Sequence, residues 1–150
     1  MIMLISAIIV SCKKPSVATL VPTISYLNYQ HFYDINNHDT TGTLQLYFTD
    51  GNGSLGMNQS DTGADYYSHL YYKKNNAWIE YTIPFNYRLP YLVGMGTDGT
   101  LKGEIDITYN SVIVASFPFA PPDSIKFQCY IVDRFGNASN TIFTPPILIK

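Results

Sequence analysis

Oxygen-bearing side chains recur at alternate positions in one short stretch of the sequence. In the numbering of a twelve-residue calcium loop they stand at positions 1, 3, 5, 9 and 12, as Asp50, Asn52, Ser54, Asn58 and Asp61. Such loops bind Ca²⁺ through these oxygens, but Leu55 stands where they carry glycine. Asp, Asn and Gly also gather in turns for conformational reasons alone. The stretch therefore predicts either a calcium site or a hydrogen-bonded turn.

A second acidic residue belongs to the same question. Asp133 lies in a later turn-forming stretch, and the loops after the second and sixth strands of a two-sheet β-sandwich lie at one end. We therefore expect Asp50 and Asp133 to be neighbours, with Asp98 as a third carboxylate that could join them. Ca²⁺ is the one cofactor that the sequence suggests. Its candidate ligands are Asp50, Asn52, Ser54 and Asp133.

A row of aromatic residues offers a different chemistry. Tyr67, His69 and Tyr71 would share one face of a strand, and Trp78 lies just across a predicted hairpin. Large rigid rings provide contact area at low entropic cost, so an exposed row could stack on sugar rings. The alternative is cross-strand pairing that only stabilises the sheet. Tyr67, Tyr71 and Trp78 are therefore the candidate glycan platform.

The sequence contains no pattern typical of an enzyme. His31, His38 and His69 are scattered, without the convergent spacing that a zinc site needs. There is no Gly-rich phosphate loop and no G-x-S-x-G nucleophile elbow. Cys129 lies in an alternating run that points it inward, where a thiol is normally inert. We therefore predict that the protein is not an enzyme.

The composition favours a β-rich domain and excludes a typical nucleic-acid binder. A chain of 150 residues is long enough for one domain with a core of its own. Aromatic residues make up 15% of it, and these residue types suit a pleated, half-buried surface. The net charge is −2 and there is no basic run, so the electrostatic footprint of a nucleic-acid binder is missing.

The first ten residues are almost wholly apolar, and the next two are Ser11 and Cys12. This stretch is shorter than the ~20 residues that span a bilayer, and it matches the apolar region of a signal peptide. The run Ile9-Val10-Ser11-Cys12 resembles the lipobox of bacterial lipoproteins, in which the cysteine is diacylated. No Lys or Arg precedes the apolar run, which departs from the usual pattern. The alternative is a buried N-terminal strand, which the Lys13-Lys14-Pro15 sequence disfavours.

This resemblance implies three parts of the chain. Residues 1–11 are expected to be a lipoprotein signal peptide, residues 12–22 a tether lipidated at Cys12, and residues 23–150 one folded domain. If Cys12 carries lipid, Cys129 has no partner for an intramolecular disulfide.

Short alternating runs recur through the domain, separated by Gly, Asn, Asp and Pro. The clearest cover residues 43–49, 101–109 and 124–133, each with apolar side chains on one face. In the last of these runs, Lys126 and Gln128 are expected to point outward. Further strands are predicted over 64–74, 77–83, 85–93 and 140–149, with a turn at Asn75-Asn76 and an edge position imposed by Pro90. No window has a helical period. About seven antiparallel strands in this length predict an immunoglobulin-like β-sandwich without its intersheet disulfide.

Two motifs carry a further resemblance. The segment Asp50-Gly51-Asn52-Gly53-Ser54-Leu55-Gly56 resembles a D-G-D-G-D-I-G turn of small Bacteroidetes lipoproteins of unknown function. The segment Asp133-Arg134-Phe135-Gly136-Asn137-Ala138-Ser139-Asn140 is similar to the hairpin before their final strand. The resemblance implies an immunoglobulin-like or fibronectin-like β-sandwich and a lipid anchor. Asn52 and Ser54 replace two acidic residues of that pattern.

These observations predict a membrane-anchored lipoprotein of the cell envelope, with a β-sandwich that binds a partner or has a structural role. One alternative is a glycan-binding accessory module of a polysaccharide-uptake system, and another is a calcium-stabilised adhesion module. The expected location is the outer membrane, reached through the lipid on Cys12. The periplasmic leaflet is favoured over the cell surface because no acidic run follows the cysteine. The expected partners are the membrane and an envelope protein or glycan, with no nucleic acid.

Overall fold

A computed structural model describes residues 20–33, 39–58, 60–92, 99–110 and 124–149. The signal peptide, Cys12 and Asp98 lie outside these ranges. The described residues contain no helix, and so none that could cross a membrane. They form nine strands: β1 Thr23–Tyr33, β2 Asp39–Asp50, β3 Tyr66–Lys74, β4 Ala77–Glu80, β5 Phe85–Tyr87, β6 Leu101–Asn110, β7 Ser124–Ile131, β8 Ile142–Phe143 and β9 Ile147–Leu148.

The strands form two antiparallel sheets, which confirms the predicted all-β class. One sheet has the order β1-β2-β6. In the other, β3 and β7 are the central strands, with β4 and β5 both beyond β3 and β8 and β9 both beyond β7. Pro84 separates β4 from β5, and Pro145-Pro146 separates β8 from β9. Proline cannot donate to a ladder, so each outer row is split into two short strands. The nine strands therefore occupy seven positions.

The predicted count of seven agrees with these positions, but the membership differs. Residues 77–83 and 85–93 were expected to be two separate strand positions, whereas β4 and β5 share one row. The strand missing from the prediction is β1. Its pairing with β2 slips between Tyr26 and Asn28, and this bulge leaves Leu27 exposed between the core-facing Tyr26 and Tyr29. Because a bulge breaks the two-residue period, β1 lacks the alternation that identifies a strand.

The core lies between the two sheets and is built from the predicted inward faces. The buried apolar residues of the longer strands are Ile24 of β1, Leu44, Leu46 and Phe48 of β2, Tyr66 and Leu70 of β3, Ile105, Ile107 and Tyr109 of β6, and Ile125, Phe127, Cys129 and Ile131 of β7. Cys129 is fully buried, as predicted, and burial raises the pKa of its thiol to about 11. The thiolate is therefore scarce near neutral pH.

Two tyrosines tie the sheets together across the core. The ring of Tyr109 on β6 stacks on Phe127 of β7, with ring centroids 4.4 Å apart. Its hydroxyl lies 2.8 Å from the hydroxyl of Tyr66 and 3.1 Å from the Ser68 hydroxyl, both on β3. A buried phenol needs such partners, since an unsatisfied hydroxyl in an apolar core is costly.

The segment after β7 closes the sandwich against β1. The Asn140 side chain accepts from the Ile24 amide and donates to the Ile24 carbonyl, both at 2.9 Å. The Ser139 hydroxyl accepts from the Ile131 amide at 3.0 Å. Asn140 thus acts as a ladder partner for the backbone of β1, and Ser139 does so for the last residue of β7.

Candidate functional site

Two surfaces carry the residues singled out in the sequence. The first, which we call the acidic end, comprises Asp50, Asn52 and Ser54 after β2 and the turn 133–137 after β7. The second, the outer face, is the side of the six-stranded sheet that points away from the core. The two surfaces differ in geometry.

The acidic end brings Asp50 and Asp133 to the same end of the sandwich. Asp50 is the last residue of β2, and Asp133 lies just beyond β7, on the opposite sheet. Both side chains are buried, with exposed fractions of 0% and 2%. Ser54 lies between them: its hydroxyl is 3.5 Å from Asp50 Oδ2 and 2.9 Å from Asp133 Oδ2. The four predicted ligand residues are therefore together.

Hydrogen-bond donors surround the Asp133 carboxylate. Its Oδ1 accepts from the amides of Phe135 and Asn137, at 2.9 and 2.8 Å. Its Oδ2 accepts from the side chains of Asn137 and Ser54 at 2.9 Å and of Asn52 at 3.3 Å. Burial acts to raise the pKa of Asp133, but the hydrogen bonds from Asn137, Ser54 and Asn52 outweigh it, so the pKa lies below its ordinary value.

The Asp50 carboxylate likewise accepts hydrogen bonds from the loop that follows it. Its Oδ2 accepts from the Ser54 amide at 2.6 Å, and its Oδ1 from the Asn52 amide at 3.4 Å. The Asn52 side-chain oxygen accepts from the Ser54 amide at 3.1 Å and also from the Ser54 hydroxyl. Carboxylate-to-amide bonds of this kind are typical of Asx turns.

The donor set is poor for calcium. Ca²⁺ takes six to eight oxygens, whereas four side-chain oxygens converge here, from Asp50, Asn52, Ser54 and Asp133. Two amide groups, Asn52 Nδ2 and Asn137 Nδ2, point at Asp133 Oδ2 and would have to turn away from a cation. Within the described ranges no three His, Cys, Asp or Glu residues are grouped to hold a metal. The geometry favours the hydrogen-bonded turn.

Arg134 completes the acidic end, and sequence reasoning did not single it out. Its guanidinium donates to the carbonyls of Leu55 at 2.7 Å, Gly56 at 2.9 Å, Gly53 at 3.0 Å and Leu92 at 3.3 Å. The same group lies 4.2 Å from the centre of the Tyr91 ring. The five donors of a guanidinium suit this task, because they satisfy several loop carbonyls at once. Its signal in the sequence is its place within the Asp133-Arg134-Phe135-Gly136-Asn137 motif.

The outer face collects side chains that strand register places opposite one another. Tyr67, His69 and Tyr71 of β3 face Tyr130, Gln128 and Lys126 of β7. On the other side of β3, Tyr71 faces Glu80 and Lys73 faces Trp78 of β4. Gln128 in turn faces Phe143 of β8. Since directly opposed residues lie on the same side of a sheet, the three predicted platform residues share this face.

Three rings of the outer face surround one ammonium group. Lys126 Nζ lies 4.7 Å from the ring centre of Trp78, 5.0 Å from that of Phe143 and 5.4 Å from that of Tyr71. Phe143 is 54% exposed, and its ring lies 6.0 Å from that of Tyr71. We call Lys126, Tyr71, Trp78 and Phe143 the aromatic cluster. It combines flat apolar surface with a fixed positive charge.

Tyr67 lies outside this cluster. Its ring stacks on Tyr130 with centroids 5.0 Å apart and planes 10° from parallel. Its hydroxyl donates to the Ala64 carbonyl at 2.7 Å. This is the cross-strand pairing that was the alternative to a platform, so Tyr67 extends the face without adding a free ring.

Polar groups border the aromatic cluster. Tyr71 donates from its hydroxyl to Gln128 Oε1 at 2.9 Å and lies 3.3 Å from Glu80 Oε2. Glu80 Oε1 is 2.7 Å from His69 Nδ1, and both side chains are almost half exposed. Desolvation and the neighbouring Glu80 carboxylate raise the pKa of Tyr71. Glu80 and His69 are therefore exposed enough to form further hydrogen bonds with groups in the solvent beside the rings.

Sequence reasoning found Tyr71 and Trp78 but missed the rest of the cluster. Lys126 and Gln128 were predicted to point outward, yet nothing in the sequence tells which β3 residue each one faces. Phe143 lies in a two-residue strand that has no period of its own. Register between strands far apart in the chain is the information that was lacking.

No protein-family model matches the chain, and no curated protein or solved structure matches it either. Function therefore has to be inferred from the chemistry of the two surfaces.

Proposed function

We propose that the protein is a lipid-anchored, non-catalytic binding module of the cell envelope that holds a glycan on its outer face. The observation that carries this proposal is the aromatic cluster, in which Trp78, Tyr71 and Phe143 lie around Lys126 on the solvent side of the sheet. Aromatic faces supply flat apolar surface for the C–H groups of a sugar ring. Gln128, Glu80 and His69 at the border can hydrogen-bond to its hydroxyl groups.

Stabilisation of the sheet is the competing explanation, and it accounts for part of the face. Tyr67 and Tyr130 stack on each other and leave little ring surface for a ligand. Phe143 is different, because more than half of its surface is exposed although it lies beside the Tyr71 ring and the Lys126 ammonium. An exposed ring contributes little to folding, so its place in the aromatic cluster supports a binding role.

The fold and the anchor complete the proposal. We infer an immunoglobulin-like or fibronectin-like sandwich, which the arrangement of three and four strand positions supports. Lipid on Cys12 would hold the domain at the outer membrane, in the periplasmic leaflet. Residues 13–22 would separate the outer face from the bilayer, and two of them are proline.

Polysaccharide binding is tested by affinity electrophoresis of the full chain in detergent, in gels that contain individual soluble polysaccharides. We expect at least one polymer to retard the protein, and Trp78→Ala to weaken this binding about tenfold, the equivalent of ~1.4 kcal/mol. The matched control is Phe135→Ala, which removes a 76% exposed ring from the acidic end. Binding by no polymer, or equal loss in the control, would overturn the proposal.

The anchor is tested separately by mass spectrometry of the mature N-terminus. We expect the wild-type chain to begin at an acylated Cys12, and Cys12→Ala to stay uncleaved and without lipid, since the thiol is the attachment point. An unmodified peptide that runs through Cys12 in the wild type would contradict this part of the proposal.

A further inference from the structure

Among the described residues, Lys126 occupies the centre of the aromatic cluster without a carboxylate partner. Its ammonium lies 4.7 to 5.4 Å from three ring centres. Over the described part of the chain, the Glu80 carboxylate on this face contacts His69 Nδ1 at 2.7 Å, and Lys126 has no ion pair with a carboxylate. Ring faces attract a cation but do not neutralise its charge. The side chain is half-buried, so the rings hold the charge in one place and remove part of its water.

The surroundings strengthen this positive charge. Lys73 faces Trp78 directly across β3 and β4 and is exposed, so a second lysine lies next to the aromatic cluster on the same side of the sheet. Glu80 is the carboxylate of this part of the face, and it is engaged by His69 and by the Tyr71 hydroxyl. The aromatic cluster is thus locally cationic, although the whole chain carries a net charge of −2.

We infer that the glycan held on the outer face is anionic. A carboxylate or sulfate group of the polymer would contact Lys126, while the ring of the same or the adjacent sugar stacks on Trp78. A neutral sugar would leave the ammonium partly dehydrated and without a partner, so charge complementarity selects against it. This inference rests on the proposed glycan-binding function and adds its ligand class.

Matched pairs of polymers test the inference, because each pair differs in charge and shares a backbone. Polygalacturonate is compared with its methyl ester, carboxymethyl cellulose with hydroxyethyl cellulose, and dextran sulfate with dextran. The full chain in detergent is used throughout, and affinity is read from gel retardation. We expect the acidic member of at least one pair to bind about tenfold more tightly, as a charge-assisted contact would give.

Lys126→Met separates the charge from the shape of the side chain. It keeps an unbranched stem beside the rings and removes the ammonium, so we expect the preference within that pair to fall to near equality. Lys102→Met is the matched control, because Lys102 is an exposed lysine of β6 on the other sheet. In the wild type, added NaCl should weaken binding of the acidic polymer and leave the neutral one unchanged. This salt comparison tests the inference even if Lys126→Met does not fold.

The outcomes distinguish the two claims. Equal binding of both members of every pair, with loss of binding in Trp78→Ala, would overturn the anionic ligand and leave the glycan-binding function intact. An acidic preference that survives in Lys126→Met would overturn the role of Lys126. Failure to bind any of the six polymers, or any polymer in a wider set, would overturn the proposed function, and this inference with it.

Discussion

The acidic end and the outer face hold similar numbers of polar side chains, but they direct them differently. At the acidic end, Asp133 alone accepts five hydrogen bonds. All of them come from the two loops that form this end, the one after β2 and the turn 133–137. On the outer face, Lys126 is turned toward aromatic rings, and Glu80 and His69 are almost half exposed. The first arrangement uses its polar groups to fix two loops, whereas the second leaves capacity for a partner. Clustered polar residues thus indicate a binding surface only when they stay exposed enough to make further hydrogen bonds to a partner.

The largest expected effect tests the structural role of the acidic end. Asp133→Ala removes a buried acceptor and leaves the amides of Phe135 and Asn137 without their partner. We expect a loss of about 3 kcal/mol in the free energy of unfolding, measured by urea denaturation. Glycan binding by the folded fraction should be unchanged. A loss below about 1 kcal/mol would mean that the turn does not depend on this carboxylate.

The pH dependence of the unfolding free energy tests the same role of Asp133. The folded-state pKa of Asp133 is lowered, so its contribution to stability is fully present above the unfolded value of about 3.9 and is lost as the pH falls through the folded-state pKa. We expect the difference in unfolding free energy between the wild type and Asp133→Asn to shrink below about pH 4. A difference that is constant over this range would contradict the assignment.

The Asp133→Asn variant is needed as a reference because another aspartate, Asp65, changes stability with pH in the opposite direction. Asp65 is buried, and desolvation raises its pKa, so its charged form destabilises the fold as the pH rises above about 4. The wild-type curve alone would mix the two contributions, whereas the difference from Asp133→Asn isolates one carboxyl group.

Substitution on the outer face should affect folding much less. Trp78→Ala removes one partly exposed ring and its contact with Lys126. Cross-strand contacts of this kind contribute roughly 0.2–1 kcal/mol each, so we expect a loss of about 1 kcal/mol or less in urea denaturation. A loss as large as that of Asp133→Ala would contradict the difference between the two surfaces, because the Trp78 ring would then be needed for folding.

Calcium should have the smallest effect of all. Hydrogen-bond donors already surround Asp50 and Asp133, so we expect millimolar Ca²⁺ after EDTA to raise the melting temperature little or not at all. A bound ion at a hundredfold excess over its Kd would stabilise by roughly 2.7 kcal/mol, a rise of several degrees. Such a rise, abolished in Asp50→Ala and in Asp133→Ala, would show that the acidic end holds a cation. A rise that persists in both variants would place the ion elsewhere.

The sequence predicted the fold more completely than it predicted the two candidate surfaces. Strict alternation in β7 predicted Cys129 inward and Lys126 outward, because burial of one face of a sheet imposes that period. The turn at Asn75 and Asn76 was also predicted, and both residues have positive φ angles of 49° and 63°. β1 was missed because its bulge hides the period.

The candidate surfaces depend on contacts that local patterns do not encode. The proximity of Asp50 and Asp133 could be expected from the ends of their strands. The donors that occupy Asp133 could not, because Ser54 and Asn52 reach it from a loop 79 to 81 residues away in the chain. Lys126 was expected to be solvent-facing, yet its position between Trp78 and Phe143 follows from three separate strand registers.

Under the proposed lipid anchor, the prolines that split the outer rows of the six-stranded sheet would affect how copies of the protein meet on a membrane. Molecules confined to two dimensions collide often, and exposed sheet edges then risk joining into fibrils. Among the described residues the longest uninterrupted ladder on either edge of this sheet is the four-residue β4, and β5, β8 and β9 are shorter. An invading strand would find too few consecutive backbone groups to pair with. Lipid anchoring could therefore crowd the domains without edge-to-edge aggregation at the sheet that carries the aromatic cluster.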